Sequence, residues 1–275
     1  MNFHAAQFKR LERAGYNRIG PRYLAAAGAR SELADALLAA ARLASGHRVL
    51  DLASGPGLLA RSAQGRVGDG GLVIASDISE GQLDCCPDLV RVAADGEALP
   101  FADKSFDRVL CGLGLMFFPD DQAALREIHR VLRPDGLLAL SVWGRAEEVP
   151  LVETALACMR RLLPPPKVAR PSIFRFGDAE DLTRRLAGDS VARPLGNFRD
   201  VEIRPGRLET SFRDAAAYWQ GFLDLAGGAA ESLSRLPAEK QQAFAAAVAE
   251  DLAPHAVPDG YRMTSTVLVA TARPV

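Results

Sequence analysis

The sequence predicts an α/β fold: a doubly wound, mostly parallel sheet of seven strands, with additional helices that form a cap. Short runs rich in Val, Ile and Leu alternate with helical patterns through the first half of the chain, as in parallel sheets. One such run, Val49–Leu52, leads directly into a glycine turn and a helix. Asp51, Asp77 and Asp95 mark the ends of three runs. Because the carboxyl ends of parallel strands meet at one edge of a sheet, these acids should lie close together.

The N-terminal residues 1–30 carry aromatic and basic side chains without clear periodicity, and Gly15 and Gly20–Pro21 divide them into short pieces. An ordinary N-terminal helix packed on the sheet is the alternative. Ser31 is suited to cap a helix through about residue 43. Residues 78–88 contain Gly81 and Pro87 and leave room for a turn or two of helix. The strands expected in this part of the chain are 49–52, 72–76, 89–93, 108–112 and 137–142, with helices over 58–66 and from Asp120 or Asp121 to Pro134.

The composition changes after Trp143, where proline-rich and alanine-rich segments replace the regular alternation. Two further strands are expected, 201–210 with a break at Pro205–Gly206, and the strongly apolar 264–272. Both would complete the sheet. The helices expected in this part of the chain lie at about 147–162, 178–186, 213–226 and 238–252.

The glycine turn predicts a ligand site. Gly55 and Gly57 let the backbone approach a ligand closely, and the helix that begins at Leu58 directs its first N–H groups toward it. Asp77 follows Gly57 by about twenty residues, the spacing at which a carboxylate can bind a ribose. Together with Asp95, these residues describe a nucleoside-binding crevice.

Two classes of nucleoside ligand fit this crevice. Gly55, Gly57 and Ala60 also match a dinucleotide fingerprint, which places a pyrophosphate on the helix N-terminus. Asp51 lies four positions before Gly55, where a carboxylate would repel a pyrophosphate but suits a cation. S-adenosylmethionine (SAM) carries a sulfonium and an ammonium group and no phosphate. Asp51 therefore favours SAM.

The stretch 49–57 (VLDLASGPG) resembles the first motif of class I SAM-dependent methyltransferases, usually written VLDxGxGxG, with Ala53 and Ser54 where glycine and cysteine are common. Over about residues 20–145 the chain is similar to the type 11 methyltransferases of ubiquinone and menaquinone biosynthesis. Beyond residue 145, where family members choose their substrates, the resemblance fades. The other segments that carry it are 75–79 (ASDIS), 94–112 (ADGEALPFADKSFDRVLCG) and 126–144 (REIHRVLRPDGLLALSVWG).

The resemblance implies roles for individual residues. Asp77 would accept both ribose hydroxyls, because a carboxylate offers acceptors only. Asp95 would bind the adenine amino group and the Gly96 N–H a ring nitrogen, while Ile78 would pack on one adenine face. The complete set expected to bind the cofactor is Tyr23, Asp51, Ala53, Gly55, Gly57, Asp77, Ile78, Asp95, Gly96, Glu97 and Gly112.

The resemblance also implies a mobile cover over the cofactor at residues 1–30. We divide the chain into this cover, a SAM-binding core at 31–144, a cap or substrate insertion at 145–200, and a segment at 201–275. The last segment completes the sheet and carries a helical insertion at 211–262.

Methyl transfer requires little from side chains beyond placing a nucleophile about 3–3.5 Å from the methyl group, so we assign no catalytic residue from the sequence. Of the histidines, His47 and His129 read as structural, and His4 and His255, in the cover regions, are better base candidates. Apolar and aromatic walls suit a flat acceptor, although each aromatic residue could instead belong to the core. The aromatic residues proposed for the substrate wall are Tyr16, Phe117, Trp143, Phe176, Tyr218 and Trp219.

Composition limits the partners. Among 275 residues, 48% are hydrophobic and 24% charged, and the formal net charge is −1. Without a basic run, a nucleic-acid partner is disfavoured. The four cysteines show no metal-binding spacing and indicate reduced thiols, and no metal is expected. No N-terminal apolar signal or membrane-length apolar run is seen, so we expect a cytoplasmic protein without a membrane span. A small-molecule substrate is the expected partner, and a homodimer is left open.

We therefore expect a SAM-dependent methyltransferase that transfers a methyl group to O, N or C of a small, aromatic or quinone-like molecule. The alternative from another class is a SAM-binding protein that uses the cofactor for other chemistry or only binds it. An NAD-dependent oxidoreductase is a further alternative, which Asp51 disfavours.

Overall fold

The computed structural model describes residues 4–26, 28, 31–166, 168–188, 198–234 and 236–275. Its centre is one sheet in the order β3-β2-β1-β4-β5-β8-β6, with the two-residue β7 paired to β8. Strands β1 to β5 are parallel, and β8 runs antiparallel to both of its neighbours, β5 and β6. The predicted fold class is confirmed. The strands are β1 (Arg48–Leu52), β2 (Leu72–Asp77), β3 (Val90–Ala93), β4 (Phe106–Gly112), β5 (Leu132–Trp143), β6 (Phe198–Phe212), β7 (Ala256–Val257) and β8 (Gly260–Pro274).

The helices lie on both faces of the sheet and above its carboxyl edge. Two of those that alternate with the parallel strands are capped by short polar side chains: Ser79 accepts the Gln82 N–H at the start of α4, and Asp120 accepts the Ala123 N–H at 2.9 Å at the start of α5. Asp214 caps a later helix in the same way through the Ala217 N–H. The helices are α1 (Ala5–Ala25), α2 (Ser31–Ala40), α3 (Leu58–Val67), α4 (Glu80–Leu83), α5 (Asp121–Val131), α6 (Pro150–Leu162), α7 (Ala179–Ala187), α8 (Ala215–Leu225), α9 (Gly227–Ser234) and α10 (Ala238–Asp251).

The core has three parts, which follow from this layering. Val49 and Val73 face α2 and α3, while Leu50 and Leu52, on alternate positions of β1, face the side covered by α5 and α7. Both faces of the central strands are buried, as expected for a parallel sheet. A separate apolar cluster joins α6, α8, α9 and α10 to β8, and we refer to it as the cap cluster.

Helix α1 corrects the prediction that residues 1–30 form short pieces: it runs continuously through Gly15, Gly20 and Pro21. The glycines mark close contacts instead of breaks. A Cβ on Gly15 would lie 2.5 Å from the Gly227 carbonyl, and one on Gly20 would lie 2.4 Å from the carbonyl oxygen of Gly81. Two backbones can approach this closely only where side chains are missing. Packing therefore requires glycine at these two positions, although helix propensity alone predicts that glycine breaks a helix there.

The segment between β2 and β3 is short, as predicted, because α4 is a single turn. It docks on α1 through Asn17, whose Oδ1 accepts from the Ser79 hydroxyl at 2.6 Å and from the Gly81 N–H at 2.9 Å. The Gln82 amide also donates to the Tyr16 carbonyl at 2.9 Å. The shortened segment thus supports α1.

Strand β6 corrects a second prediction, since it continues through Pro205–Gly206, where a break was expected. Pro205 lies opposite Leu268 in the ladder with β8. As β6 is the edge strand, a missing N–H can be tolerated on its outer side.

Helix α9 was not predicted, because it begins with Gly227–Gly228, which locally indicates a turn. Among the described residues, no helix combines the length and the apolar character needed to cross a membrane.

Candidate functional site

The turn after β1 is built from left-handed backbone conformations. Ala53, Gly55 and Gly57 have φ values of 54°, 54° and 78°. A Cβ on Gly57 would lie 2.7 Å from the Leu89 side chain and 3.0 Å from the Cys86 Cβ, and the left-handed φ would strain any larger residue there. Gly57 also stands at the N-cap of α3, which directs the first N–H groups of that helix toward the turn.

Ala53 adopts a conformation that costs a non-glycine residue about 1–2 kcal/mol. It faces the loop after β4, where a Cβ on Gly114 would lie 2.7 Å from the Ala53 Cβ. The absence of a side chain at Gly114 therefore makes room for the Ala53 methyl group.

A cavity opens at the carboxyl ends of β1, β2 and β4, between this turn and α1. It is the position expected for a ligand of an open α/β sheet. Among the residues assigned to the cofactor from the sequence, those that line it are Tyr23, Ala53, Gly55, Asp77, Ile78, Asp95, Gly96 and Gly112. An adjoining cavity shares Tyr23, Ala53, Gly55 and Gly112 and extends toward Leu33 and other apolar residues of α2 and α3.

Asp77 connects the end of β2 to the glycine turn. Its Oδ2 accepts the Gly55 N–H at 2.9 Å and its Oδ1 accepts the Ser79 N–H at 2.8 Å. Burial raises the pKa of Asp77, against the lowering effect of these backbone donors. A carboxylate has about four lone-pair positions, so both oxygens can accept further hydrogen bonds from a ligand.

Asp95 meets Lys9 of α1, which the sequence analysis did not identify. The Lys9 ammonium donates to Asp95 Oδ2 and to Glu97 Oε2, both at 2.6 Å. Glu97 also accepts the Asp120 N–H at 2.8 Å. Asp95 and Lys9 line the cavity, whereas Glu97 lies behind them and anchors Lys9 and the start of α5. A Cβ on Gly96 would lie 2.6 Å from the Phe118 ring, so the ring packs directly on this backbone.

Asp51 and Gly57 lie outside the described lining, beneath the turn. Asp51 is fully buried, and burial raises its pKa to about 8, an effect that the Ala60 N–H only partly offsets. The sequence argument treated Asp51 as a charge facing the ligand. In the structure, burial instead favours the neutral form of this carboxyl, because ionising a buried acid requires removing it from water.

One face of α1 borders the cavity from Lys9 to Tyr23. Lys9, Glu12, Tyr16 and Tyr23 contribute to the lining, at intervals of three, four and seven residues that place them on one helix face. The Tyr16 ring meets the rings of Tyr23 and Phe117 edge-on, with centroids 5.9 and 5.6 Å apart. The sequence analysis did not identify Lys9 and Glu12 as lining residues, although their helical spacing from Tyr16 and Tyr23 could have indicated them.

Only part of the proposed substrate wall lies at the cavity. Tyr16 and Phe117 line it, and Trp143 is half-buried at the end of β5, between the sheet core and the cap cluster. Phe176 is a core residue, 1% exposed, and the Arg175 guanidinium lies 4.7 Å from its ring centre. The prediction that Phe176 faces substrate is corrected accordingly.

Tyr218 and Trp219 belong to the cap cluster and are corrected in the same way. The buried Tyr218 hydroxyl donates to the Leu151 carbonyl and accepts the Ala155 N–H, both at 3.0 Å. Trp219 stacks on the Phe222 ring at 5.7 Å. An alanine-rich cap needs these large side chains to fill its own interior.

The histidines lie apart from the described lining. His4 is an exposed residue at the N-cap position of α1, and His255 follows α10 with a pKa lowered by burial. His47 accepts the Ala44 N–H at its Nδ1, and His129 packs on the Phe198 ring, as expected of structural residues. The structure thus gives neither His4 nor His255 a place from which to act as a base.

The sheet order, the glycine turn and the acids at the ends of β2 and β3 define a Rossmann-like domain of the class I methyltransferase type. Residues 50–140 match the family model described as a methyltransferase domain. Residues 50–140 are therefore a domain of the class I SAM-dependent methyltransferase type, and the resemblance predicted from the motifs is confirmed.

The relatives found by sequence cover the same part of the chain. A ubiquinone/menaquinone biosynthesis C-methyltransferase of Coxiella burnetii is 35% identical over 133 residues, which are 45% of this chain and 53% of that protein. The chain therefore spans about half the length of the curated relatives it matches.

Solved structures with this fold are more distant. A candidate methyltransferase of Bacillus halodurans has a TM-score of 0.58 at 20% identity, over 88% of this chain and 98% of its own. Phosphoethanolamine N-methyltransferase 2 of Haemonchus contortus, in complex with S-adenosylhomocysteine, has a TM-score of 0.52 at 16% identity. The match covers 88% of this chain and 52% of that protein's chain. The cyclase SpnF has a TM-score of 0.51 at 21% identity, over 89% and 81%.

Proposed function

We propose that this protein uses SAM to methylate a small, aromatic or quinone-like molecule at O, N or C. The observation that carries the proposal is the cavity that joins Gly55, Asp77 and Asp95 at one edge of the sheet. These residues supply a close backbone approach, acceptors for ribose hydroxyls and an acceptor for an amino group. The division of the chain into cover, core, cap and sheet completion is part of the proposal, as is a cytoplasmic location.

When bound, SAM supplies an electrophilic methyl group. The chain's own task is then to hold both ligands in register and keep water away, because fixed orientation contributes about 7–11 kcal/mol to such reactions. Asp77 and Gly55 would fix the ribose and the amino-acid part, and Asp95 the adenine. Helix α1 would exclude water through Tyr16 and Tyr23, which line the cavity, with the Tyr23 ring beside Gly55 of the glycine turn.

The acceptor class rests on the apolar part of the lining. Tyr16, Leu113, Phe117 and Phe118 surround the space beside the expected cofactor position with aromatic and aliphatic surface. A flat apolar molecule suits such walls. The printed name of the Coxiella burnetii relative agrees with a quinone-like acceptor, and its partial coverage makes this a proposal for the present chain.

The test begins with cofactor binding. Titration calorimetry should show that SAM and S-adenosylhomocysteine bind and that NAD and NADP do not. Release of S-adenosylhomocysteine is then followed with quinols, phenols and amines as acceptors. Binding of NAD without SAM would contradict the proposal and restore the oxidoreductase alternative.

A second function is favoured by one observation. The cyclase SpnF shares the fold, so this architecture also occurs in a protein whose name describes a cyclisation. The present chain would then bind SAM and leave its methyl group in place. Quantitative recovery of unchanged SAM, with conversion of an acceptor to an unmethylated product, would support this alternative.

A further inference from the structure

The cavity contains one carboxylate that the proposed cofactor contacts do not use. Among the described lining residues, the carboxylates are Glu12, Asp77 and Asp95. Asp77 holds the glycine turn through the Gly55 N–H, and Asp95 is paired with Lys9 at the position expected for adenine. Glu12 stands on α1 outside both arrangements.

Glu12 occupies a position that packing alone would give to an apolar residue. It belongs to the buried row of α1 formed with Phe8, Gly15 and Ile19, and only 8% of it is exposed. Burying a carboxylate costs free energy unless a partner compensates, and Arg170 supplies one by donating to Oε1 at 2.8 Å. This contact uses one of about four lone-pair positions on the carboxylate. Both carboxylate oxygens also lie against the start of α9, where a Cβ on Gly228 would be 2.5 Å from Oε1 and 3.0 Å from Oε2.

The surroundings of Glu12 suit a particular kind of ligand. Tyr16 lies one helical turn further along α1, and its ring meets Phe117 edge-on across the cavity. A flat ring could rest against these side chains with a hydroxyl directed at Glu12. Burial raises the pKa of Glu12, with Arg170 opposing, which brings the carboxylate closer to the pKa at which it can accept a proton at neutral pH.

We propose that Glu12 binds the hydroxyl of a phenolic methyl acceptor and takes its proton. In this step the methyl carbon–sulfur bond breaks as the bond from the methyl carbon to the acceptor forms. The acceptor proton passes to the Glu12 carboxylate and from there to solvent. The positive charge of the sulfonium and the negative charge of the carboxylate disappear together, so no net charge is created in the cavity. This inference rests on the proposed function.

The test is a thermodynamic cycle in which the Glu12 carboxylate, the ligand hydroxyl, or both are removed. 1-Naphthol and 1-methoxynaphthalene are titrated into the protein saturated with S-adenosylhomocysteine, for the wild type and for Glu12→Gln. A charged acceptor forms a hydrogen bond about twice as strong as a neutral one, so Glu12→Gln should weaken 1-naphthol binding about tenfold. Binding of 1-methoxynaphthalene, which has no hydroxyl to donate, should be equal in both proteins.

Glu80→Gln is the matched control. Glu80 of α4 pairs with Arg13, which lies on α1 as Glu12 does, and the Glu80 side chain is 47% exposed. It should change the binding of neither ligand. Thermal unfolding shows whether Glu12→Gln is folded. Should that variant fail to fold, Glu12→Asp withdraws the carboxylate by one methylene and should reduce only 1-naphthol binding, several-fold.

If Glu12→Gln lost the same affinity for both ligands, the proposal would be overturned, because the effect would then be structural. It would also be overturned if the wild type bound 1-naphthol no more tightly than 1-methoxynaphthalene. S-adenosylhomocysteine binding is measured first, so a failure there counts against the proposed cofactor. The naphthalene cycle is also run on the unliganded protein, where it decides the role of Glu12 independently.

Discussion

The Lys9 ammonium lies 2.6 Å from Asp95 Oδ2, so the N-terminal helix is tied to the acid expected to bind adenine, 86 residues away in the chain. The ion pair is partly shielded, since the Lys9 side chain is 19% exposed. Lys9 also donates to Glu97, which in turn fixes the start of α5. One side chain therefore links α1, the cavity and the start of α5.

Removing this link should loosen α1 at its N-terminal end. We expect Lys9→Met to increase amide hydrogen exchange over residues 5–12, because local opening no longer has to break two charged hydrogen bonds. Strands β1 and β5 should be unaffected. Arg13→Met, which removes an exposed pair with Glu80, is the control and should change exchange little. Identical exchange in wild type and Lys9→Met would show that α1 is held by its apolar row alone.

Asp77→Ala should weaken binding of S-adenosylhomocysteine roughly ten- to a hundredfold. The variant loses hydrogen bonds to a charged acceptor, each worth about 1.5–3 kcal/mol, and frees the Gly55 N–H that shapes the turn. Titration calorimetry measures the affinity, and circular dichroism confirms the fold. Asp69→Ala, at an exposed turn residue, serves as the control. Unchanged affinity in folded Asp77→Ala would place the ribose elsewhere.

Asp51→Asn should alter how stability depends on pH. The folded pKa of Asp51, about 8, is above the value of an unfolded chain, near 3.9. Between these values the folded protein holds a proton that the unfolded chain has released, so the free energy of unfolding falls as pH rises. Asp51 contributes up to about 1.4 kcal/mol per pH unit to this fall.

Urea denaturation of the unliganded protein from pH 5 to 8 measures the effect. The stability of the wild type should decline relative to that of Asp51→Asn across this range, because the amide does not titrate. Parallel curves would show that Asp51 is ionised in the folded protein and compensated by its surroundings.

Gly20→Ala should destabilise the docking of α1 on α4. The added Cβ would lie 2.4 Å from the Gly81 carbonyl oxygen, a backbone atom that cannot move without shifting α4. We expect a loss of about 1–3 kcal/mol in the free energy of unfolding, as for other overpacked sites.

Gly65→Ala is a matched control, because a Cβ there meets nothing within 4 Å. In the interior of α3 this change should stabilise the protein by about 0.5–1 kcal/mol. Chemical denaturation compares the two variants. A Gly20→Ala variant as stable as Gly65→Ala would mean that α1 can be displaced without cost.

The parts of the fold that the sequence predicts well are those with local causes. The glycine turn needs left-handed conformations at Gly55 and Gly57, and glycine adopts them wherever the chain places it. The central strands β1 and β2 are buried on both faces, so their apolar runs are continuous and short. These features do not depend on distant residues.

The parts that the sequence analysis missed depend on partners far along the chain. Gly15 and Gly20 break a helix in isolation, and only Gly227 and Gly81 explain why they are there. The contact of Glu12 with Arg170 spans 158 residues. Phe176 could equally have lined a cavity or filled a core, because its aromatic side chain suits both environments. Tertiary packing, which periodicity does not encode, decides these cases.

The contact between Ala53 and Gly114 has an evolutionary consequence. Between the loops after β1 and β4 there is room for one methyl group only. In this chain it is the methyl group of Ala53, in the loop after β1. A descendant that gained a side chain at position 114 would have to lose the one at position 53, and the Cys111 sulfur, 2.8 Å from the same point, narrows the choice further. Lineages can therefore exchange the small residue between these loops only through paired substitutions, so the two positions are expected to vary together among related sequences.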